Sequence, residues 1–116
     1  MTKERLIINK IMPDLPILAY PEREVLPKMR DHFMDTIITL KTELEIHEML
    51  DMGDAGGIVC EIKIPGAASS MEESTFLVSI THLKIKRGEP HYLELEEYRQ
   101  KRIRKLMRQD RKNRFF

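Results

Sequence analysis

Apolar residues recur every three or four positions along one stretch in the first half of the chain. This spacing is typical of one face of an amphipathic α-helix. Pro27 limits where the helix can begin, because proline lacks a backbone donor, and Gly53 offers a C-terminal stop. The pattern predicts a long helix over about 27–52. The apolar residues that show this spacing are Val25, Met29, Phe33, Ile37, Leu40 and Leu44.

Two later stretches have the pattern of β-strands. Ile58, Cys60 and Ile62 alternate with less apolar neighbours, as in a half-buried strand. Residues 75–86 are rich in β-branched side chains, which favour strands. We expect the segments 57–64 and 75–86 to pair as an antiparallel hairpin.

A second helix is predicted at the end of the chain, over about 90–110. Pro90 suits the first position of a helix. With an advance of about 100° per residue, the apolar residues gather in one stripe and most of the bases lie on the opposite half. Arg99 falls inside the stripe, so we expect it to turn its charge outward or to pair with a buried acid. The stripe consists of Tyr92, Leu95, Ile103, Leu106 and Met107.

The first twenty residues have a weaker pattern. Residues 6–12 predict a short strand, and three prolines then interrupt the chain at positions 13, 16 and 21. Because a residue that precedes proline avoids the helical region, we expect 1–20 to form an extended N-terminal arm.

These elements predict an α+β fold in a single domain, 1–116, with both helices on one face of a small antiparallel sheet. A sheet needs three or more strands to be stable alone, and the sequence offers two strong strands and one or two weak ones. We therefore expect a second copy to complete the fold, as a homodimer.

Charge is distributed unevenly along the chain. Residues 99–116 hold nine Lys or Arg and one acid, a net +8, whereas residues 1–98 are −7, so the total is only +1. Such asymmetry bears on partners and not on fold. We expect residues 111–116 to form a frayed basic tail.

Four interpretations of the cationic helix face stay open: a solvated surface, nucleic-acid binding, contact with an acidic protein surface, and attraction to an anionic membrane surface. The function expected first is a non-catalytic binding or assembly module whose anionic partner is nucleic acid or an acidic protein. The expected anion-binding residues are Lys101, Arg104, Lys105, Arg108 and Arg111.

The alternative is a small enzyme or ligand-binding protein. Its site would pair Glu61 with His82 across two strands, with His91 nearby. No metalloprotease, phosphate-loop or nucleophile-elbow motif is present in the sequence. We therefore favour binding over catalysis and expect no metal and no cofactor.

The chain has one cysteine, Cys60, within the alternating apolar segment. This context predicts a buried, unreactive thiol and favours a reducing compartment. No run approaches the ~18 apolar residues of a membrane span. We expect a cytoplasmic protein.

Overall fold

Five antiparallel strands form one curled sheet in the computed structural model, which describes residues 2–34, 36–65 and 75–114. The order across the sheet is β4-β3-β2-β1-β5. With the helices packed against it, this sheet confirms the predicted α+β class. The strands are β1 Ile17–Pro21, β2 Leu44–Asp51, β3 Ile58–Lys63, β4 Thr75–Ser79 and β5 Leu83–Ile85.

The curl of the sheet follows from one short connection. Strands β4 and β5 lie at opposite edges of the sheet, yet only the 3-10 turn Ile80–His82 separates them in the chain. Three residues span at most about 10 Å, so the two edges must approach each other. We call the turn Ile80–His82 the corner of the sheet. The Ser79 hydroxyl stabilises this corner by accepting a hydrogen bond from the Thr81 amide at 3.3 Å.

The core lies on the inner face of the curled sheet. Alternate residues of β1, β3 and β5 are buried, as the period of a strand requires. Helix α1 closes part of this core with three isoleucines. The buried strand residues include Ile17, Leu44, Ile46, Ile58, Ile62, Leu83 and Ile85, and the helix adds Ile7, Ile8 and Ile11.

The N-terminal segment is not the extended arm predicted for 1–20, nor do residues 6–12 form a strand. Residues Lys3–Ile11 form helix α1, and the Thr2 hydroxyl caps it by accepting from the Arg5 amide at 3.0 Å. The extended part is Ile17–Pro21, which lies between β2 and β5 within the sheet. The short apolar run fits a helix or a strand locally, and packing against the core decided for the helix.

The long helix predicted for 27–52 is wrong. Helix α2 covers only Leu26–His32, and residues 44–51 form β2. The four consecutive β-branched residues at 36–39 disfavour a helix in the segment that joins α2 to β2. Ile37, which was predicted to lie on the buried helix face, is 89% exposed. A bulge in β2 at His47 moves the next buried position from 48 to 49. The helical pattern itself ended at Leu44, before the bulge, and it counted Ile37 and Leu40 as buried although the latter is also exposed, by 43%.

The predicted hairpin is confirmed for β3 and β4, where Cys60 faces Val78 and Ile62 faces Phe76. The single strand predicted for 75–86 is wrong, because it breaks at Ile80–His82 and β5 leaves to pair with β1. The connector residues 66–74 lie outside the described residues.

The C-terminal helix is confirmed as α4, Tyr92–Arg114. It continues past the predicted end at 110, so the residues up to 114 are helical and not a frayed tail. Phe115 and Phe116 lie outside the described residues. The short helix α3, Gly53–Gly56, connects β2 to β3.

Arg99 joins α4 to the corner of the sheet. Its side chain is 3% exposed and forms ion pairs with Glu96 at 2.7 Å and Glu22 at 3.2 Å. Its Nε donates to the Ile80 carbonyl at 3.0 Å. Glu96 also accepts from the Ile85 amide at 3.1 Å, so one carboxylate holds both β5 and Arg99. Of the two outcomes expected for Arg99, the structure shows pairing.

We predict that Arg99→Met lowers the free energy of unfolding by about 2–4 kcal/mol, because it leaves Glu96, Glu22 and the Ile80 carbonyl without their shared donor. Urea unfolding would measure this loss. Arg23→Met is the matched control, since Arg23 is exposed and makes no ion pair among the described residues. Equal unfolding midpoints for the two variants would contradict the role given to Arg99.

Asp51, at the end of β2, connects α1 to α3. Its carboxylate accepts from the Gly53 amide and from the Thr2 hydroxyl, both at 2.9 Å. Both hydrogen bonds lower the pKa of Asp51, and the one from the Gly53 amide has the larger effect. The folded state therefore favours the ionised carboxylate more than the unfolded state does.

We predict that the stability difference between the protein and Asp51→Asn is largest near neutral pH. It should shrink below the usual Asp pKa of about 3.9, as protons bind the folded carboxylate. Thermal unfolding of both proteins at neutral and acidic pH measures the difference, because other titrating groups affect both equally. A gap that widens in acid would contradict this assignment.

Candidate anion-binding site

A groove of about 610 Å³ lies between the start of α1 and the middle of α4. We call it the cationic groove, because more bases than acids line it. Its acids are Glu4 and Asp54, and Thr2 and Tyr98 complete the lining. Its bases are Lys3, Lys101, Arg102, Arg104, Lys105 and Arg108.

Both acids of the cationic groove are already bonded. Glu4 is buried and accepts a hydrogen bond from the Tyr98 hydroxyl at 3.0 Å. Burial and this hydrogen bond raise the pKa of Tyr98, so the phenol stays protonated and keeps donating. Asp54 pairs with Lys105 at 3.2 Å. The groove therefore keeps a net positive charge.

Arg102 forms the floor of the cationic groove and is structural. Its guanidinium donates to the Asp54 carbonyl at 2.6 Å and to the Ala55 carbonyl at 2.5 Å. These carbonyls belong to the short helix α3, and a cation suits the end of a helix. Since Arg102 is 7% exposed, little of it is available to a ligand.

Gly57 lets Arg102 reach this position. Its φ is +67°, and a Cβ there would lie 2.9 Å from Arg102 Nε and 3.1 Å from the Tyr98 hydroxyl. Gly53 has a similar φ of +77° but open space around it. The two glycines differ in what a side chain would meet.

Five bases were predicted to bind an anion, and the structure divides them into two groups. Lys101 pairs with Glu97 at 2.8 Å, and Lys105 pairs with Asp54. Both pairs are solvent-exposed, and such pairs contribute little, so an incoming anion can displace them. Arg104, Arg108 and Arg111 are exposed and form no ion pair among the described residues. The first two line the cationic groove, whereas Arg111 lies beyond it.

Lys3 is a groove residue that sequence reasoning missed. Its ammonium lies 5.8 Å from the centre of the Tyr98 ring, a cation–π distance. The local signal that bears on it is the spacing of Ile7, Ile8 and Ile11 behind a capping threonine, although this spacing does not place α1 beside α4. That spacing marks a helix start and would have placed Lys3 in its first turn.

The alternative site around Glu61, His82 and His91 is not assembled. Glu61 faces Leu77 on β4 and Glu48 on β2, so the expected cross-strand pair with His82 does not form. His82 lies in the corner turn, and His91 contacts Asp14 at 2.6 Å. Among the described residues, no three His, Cys, Asp or Glu side chains are arranged to hold a metal ion.

Cys60 is fully buried, as predicted, and burial raises the pKa of its thiol to about 12. The thiolate, which is the reactive form, is therefore negligible near neutral pH.

Comparisons of the chain with protein-family models, with curated proteins and with solved structures give no match. In the described part of the chain, every helix is too short or too polar to cross a bilayer.

We predict that Gly57→Ala destabilises the protein more than Gly53→Ala, by about 1–3 kcal/mol. Both variants strain a positive φ, but only the first also displaces Arg102. Urea unfolding of the two variants measures the difference. Equal losses would mean that contact with Arg102 does not constrain position 57.

Proposed function

We propose that this chain is a non-catalytic binding or assembly module that contacts an anionic macromolecule through the cationic groove and the exposed bases of α4. The observation that carries the proposal is the imbalance within the groove. Arg104 and Arg108 have no carboxylate partner among the described residues, whereas the lining acids Glu4 and Asp54 are already bonded.

The spacing of the bases favours an extended polyanion over a single small anion. Arg104, Arg108 and Arg111 follow one another at four and three residues along one side of α4. At 1.5 Å per residue this row is about 10 Å long, and Lys3 adds a charge from α1 across the groove. A nucleic-acid backbone offers phosphates at such intervals, and an acidic protein surface can do the same.

The acidic remainder of the chain limits how many phosphates the protein can contact, and therefore how steeply its binding falls with salt. Residues 1–98 carry −7 and repel phosphates except where the groove faces them. Binding should therefore rest on a few contacts. If three cations each release one counterion from a single strand, affinity falls roughly 20-fold between about 50 and 200 mM salt.

We predict that fluorescence anisotropy detects binding of a labelled single-stranded RNA or DNA at low salt. The double variant Arg104→Glu with Arg108→Glu should bind at least about tenfold more weakly, because it reverses two groove charges that make no ion pair among the described residues. The matched control is Arg23→Glu with Arg87→Glu, two exposed bases away from the groove that undergo the same change of net charge.

Equal loss in both double variants would mean that only net charge matters, and the groove would lose its role. If no oligonucleotide binds at low salt, nucleic acid is excluded. The same variants then test an acidic protein surface, with polyglutamate as the probe. Failure of both probes would overturn the proposed function.

Catalysis around Glu61, His82 and His91 is not proposed, since those side chains lie apart. A cytoplasmic location remains part of the proposal, because the single cysteine is free and buried. A shortage of strands no longer supports the predicted homodimer, since the described residues form five strands and need no partner strand. Self-association is kept here because the far half of α4 leaves apolar side chains uncovered.

A further inference from the structure

The far half of α4 has an uncovered apolar face over residues 103–111, the part whose side chains the structure describes. Within 92–111, Arg102 is the last residue that the body of the protein buries. After it, Ile103 is half-buried, Leu106 is 37% exposed and Met107 is 55% exposed. At about 100° per residue these three side chains lie within about 100° of one another, as one stripe.

A second groove, of about 290 Å³, runs beside this stripe. It lies on the face of α4 opposite to the cationic groove. Its floor is Ile103, Leu106 and Met107, and Glu22 and Glu24 lie on the corner side. Glu22 is engaged by Arg99, whereas Glu24 is exposed and makes no ion pair among the described residues. An occupant that fits would present an apolar strip with cations on its flank.

The far half of α4 is itself such an occupant. Its stripe is apolar, and Arg104 and Arg111 lie about 80–100° to one side of Ile103 on the helix. We infer that two copies of this chain associate through α4, antiparallel, with the stripe of each helix packed on the stripe of the other. This inference deepens the assembly part of the proposed function and rests on it.

The antiparallel arrangement makes a specific contact that can be tested. If the two helices cross at Leu106, residue 111 of one copy lies at the level of residue 101 of the other. That is the level of Arg99 and Gln100, which line the groove together with Glu24. Arg111 of each copy then reaches Glu24 of the other. A two-fold axis repeats the contact, as in an isologous dimer.

The contact surface is modest in size. The far half of α4 is about 18 Å long, and a short two-helix contact lies at the low end of specific interfaces. We therefore expect a dimer with a dissociation constant in the micromolar range. The cationic grooves, with Arg104 and Arg108, remain on the outer faces, so a dimer offers a polyanion two sites, whereas Arg111 leaves the polyanion row and serves the dimer contact.

Sedimentation equilibrium of the full chain, without nucleic acid and at up to about 100 μM, tests the inference. We expect twice the chain mass of 13.7 kDa at the upper end of this range. Leu106→Glu should be monomeric. Leu93→Glu is the matched control, because Leu93 is 80% exposed on the first turn of the same helix and should leave the dimer intact.

A charge exchange tests the register. Glu24→Arg alone and Arg111→Glu alone should each weaken the dimer by about five- to tenfold, and the double variant should recover most of that loss. Circular dichroism of each variant checks that the fold is retained. Recovery in the double variant is a result that general destabilisation would not give.

A monomer at every concentration would overturn the inference. A dimer that Leu106→Glu does not weaken, or one without recovery in the exchange, would overturn this interface while self-association stands. Anisotropy with an oligonucleotide remains a separate measurement. Failure of the dimer is therefore distinguishable from failure of anion binding.

Discussion

The guanidinium of Arg99 is the contact on which the arrangement of this protein depends. The curled sheet exists because three residues connect its two edges, and Arg99 bonds to the Ile80 carbonyl within that corner. The carboxylate of Glu96 accepts hydrogen bonds both from Arg99 and from the backbone amide of Ile85 in β5. A buried cation with several partners fixes direction more strictly than apolar packing does. The axis of α4 is therefore set relative to the sheet at one point.

Once that point is fixed, the two halves of α4 acquire different roles. The first half is held by Leu95, Tyr98, Arg99 and Arg102, which are buried against the sheet, α1 and α3. Tyr98 and Glu4 bring the start of α1 beside the helix, and this contact creates the cationic groove. The second half continues beyond the body, with bases on one side and a short apolar stripe on the other. Binding and assembly are proposed for that half because Arg104, Arg108 and Arg111 make no ion pair among the described residues, and because Leu106 and Met107 are exposed.

Local pattern was sufficient for α4 and for the β3–β4 hairpin, because amphipathic spacing and alternation express the burial of each element directly. It was insufficient for 27–52, where the exposed Ile37 and Leu40 continued the spacing of the buried Met29 and Phe33 and so imitated one helical face. The candidate bases were predicted because they cluster in sequence. Lys101 pairs with Glu97 four residues away, but the pairing of Lys105 depended on Asp54, which is far away in the chain and lies in α3. Lys3 was missed for the same reason, since only packing brings α1 to α4.

The sequence by itself determined the α+β class, the cationic character of the last helix and the burial of Cys60. Each of these follows from composition or from neighbours within a few turns. Tertiary structure alone decided that the strand expected for 75–86 bends at Ile80 to reach the other edge of the sheet, and that Glu61 and His82 do not meet. It also decided which bases find no carboxylate partner among the described residues. These outcomes depend on contacts between residues distant in sequence, and the local hydrophobic period does not indicate which distant side chains make contact.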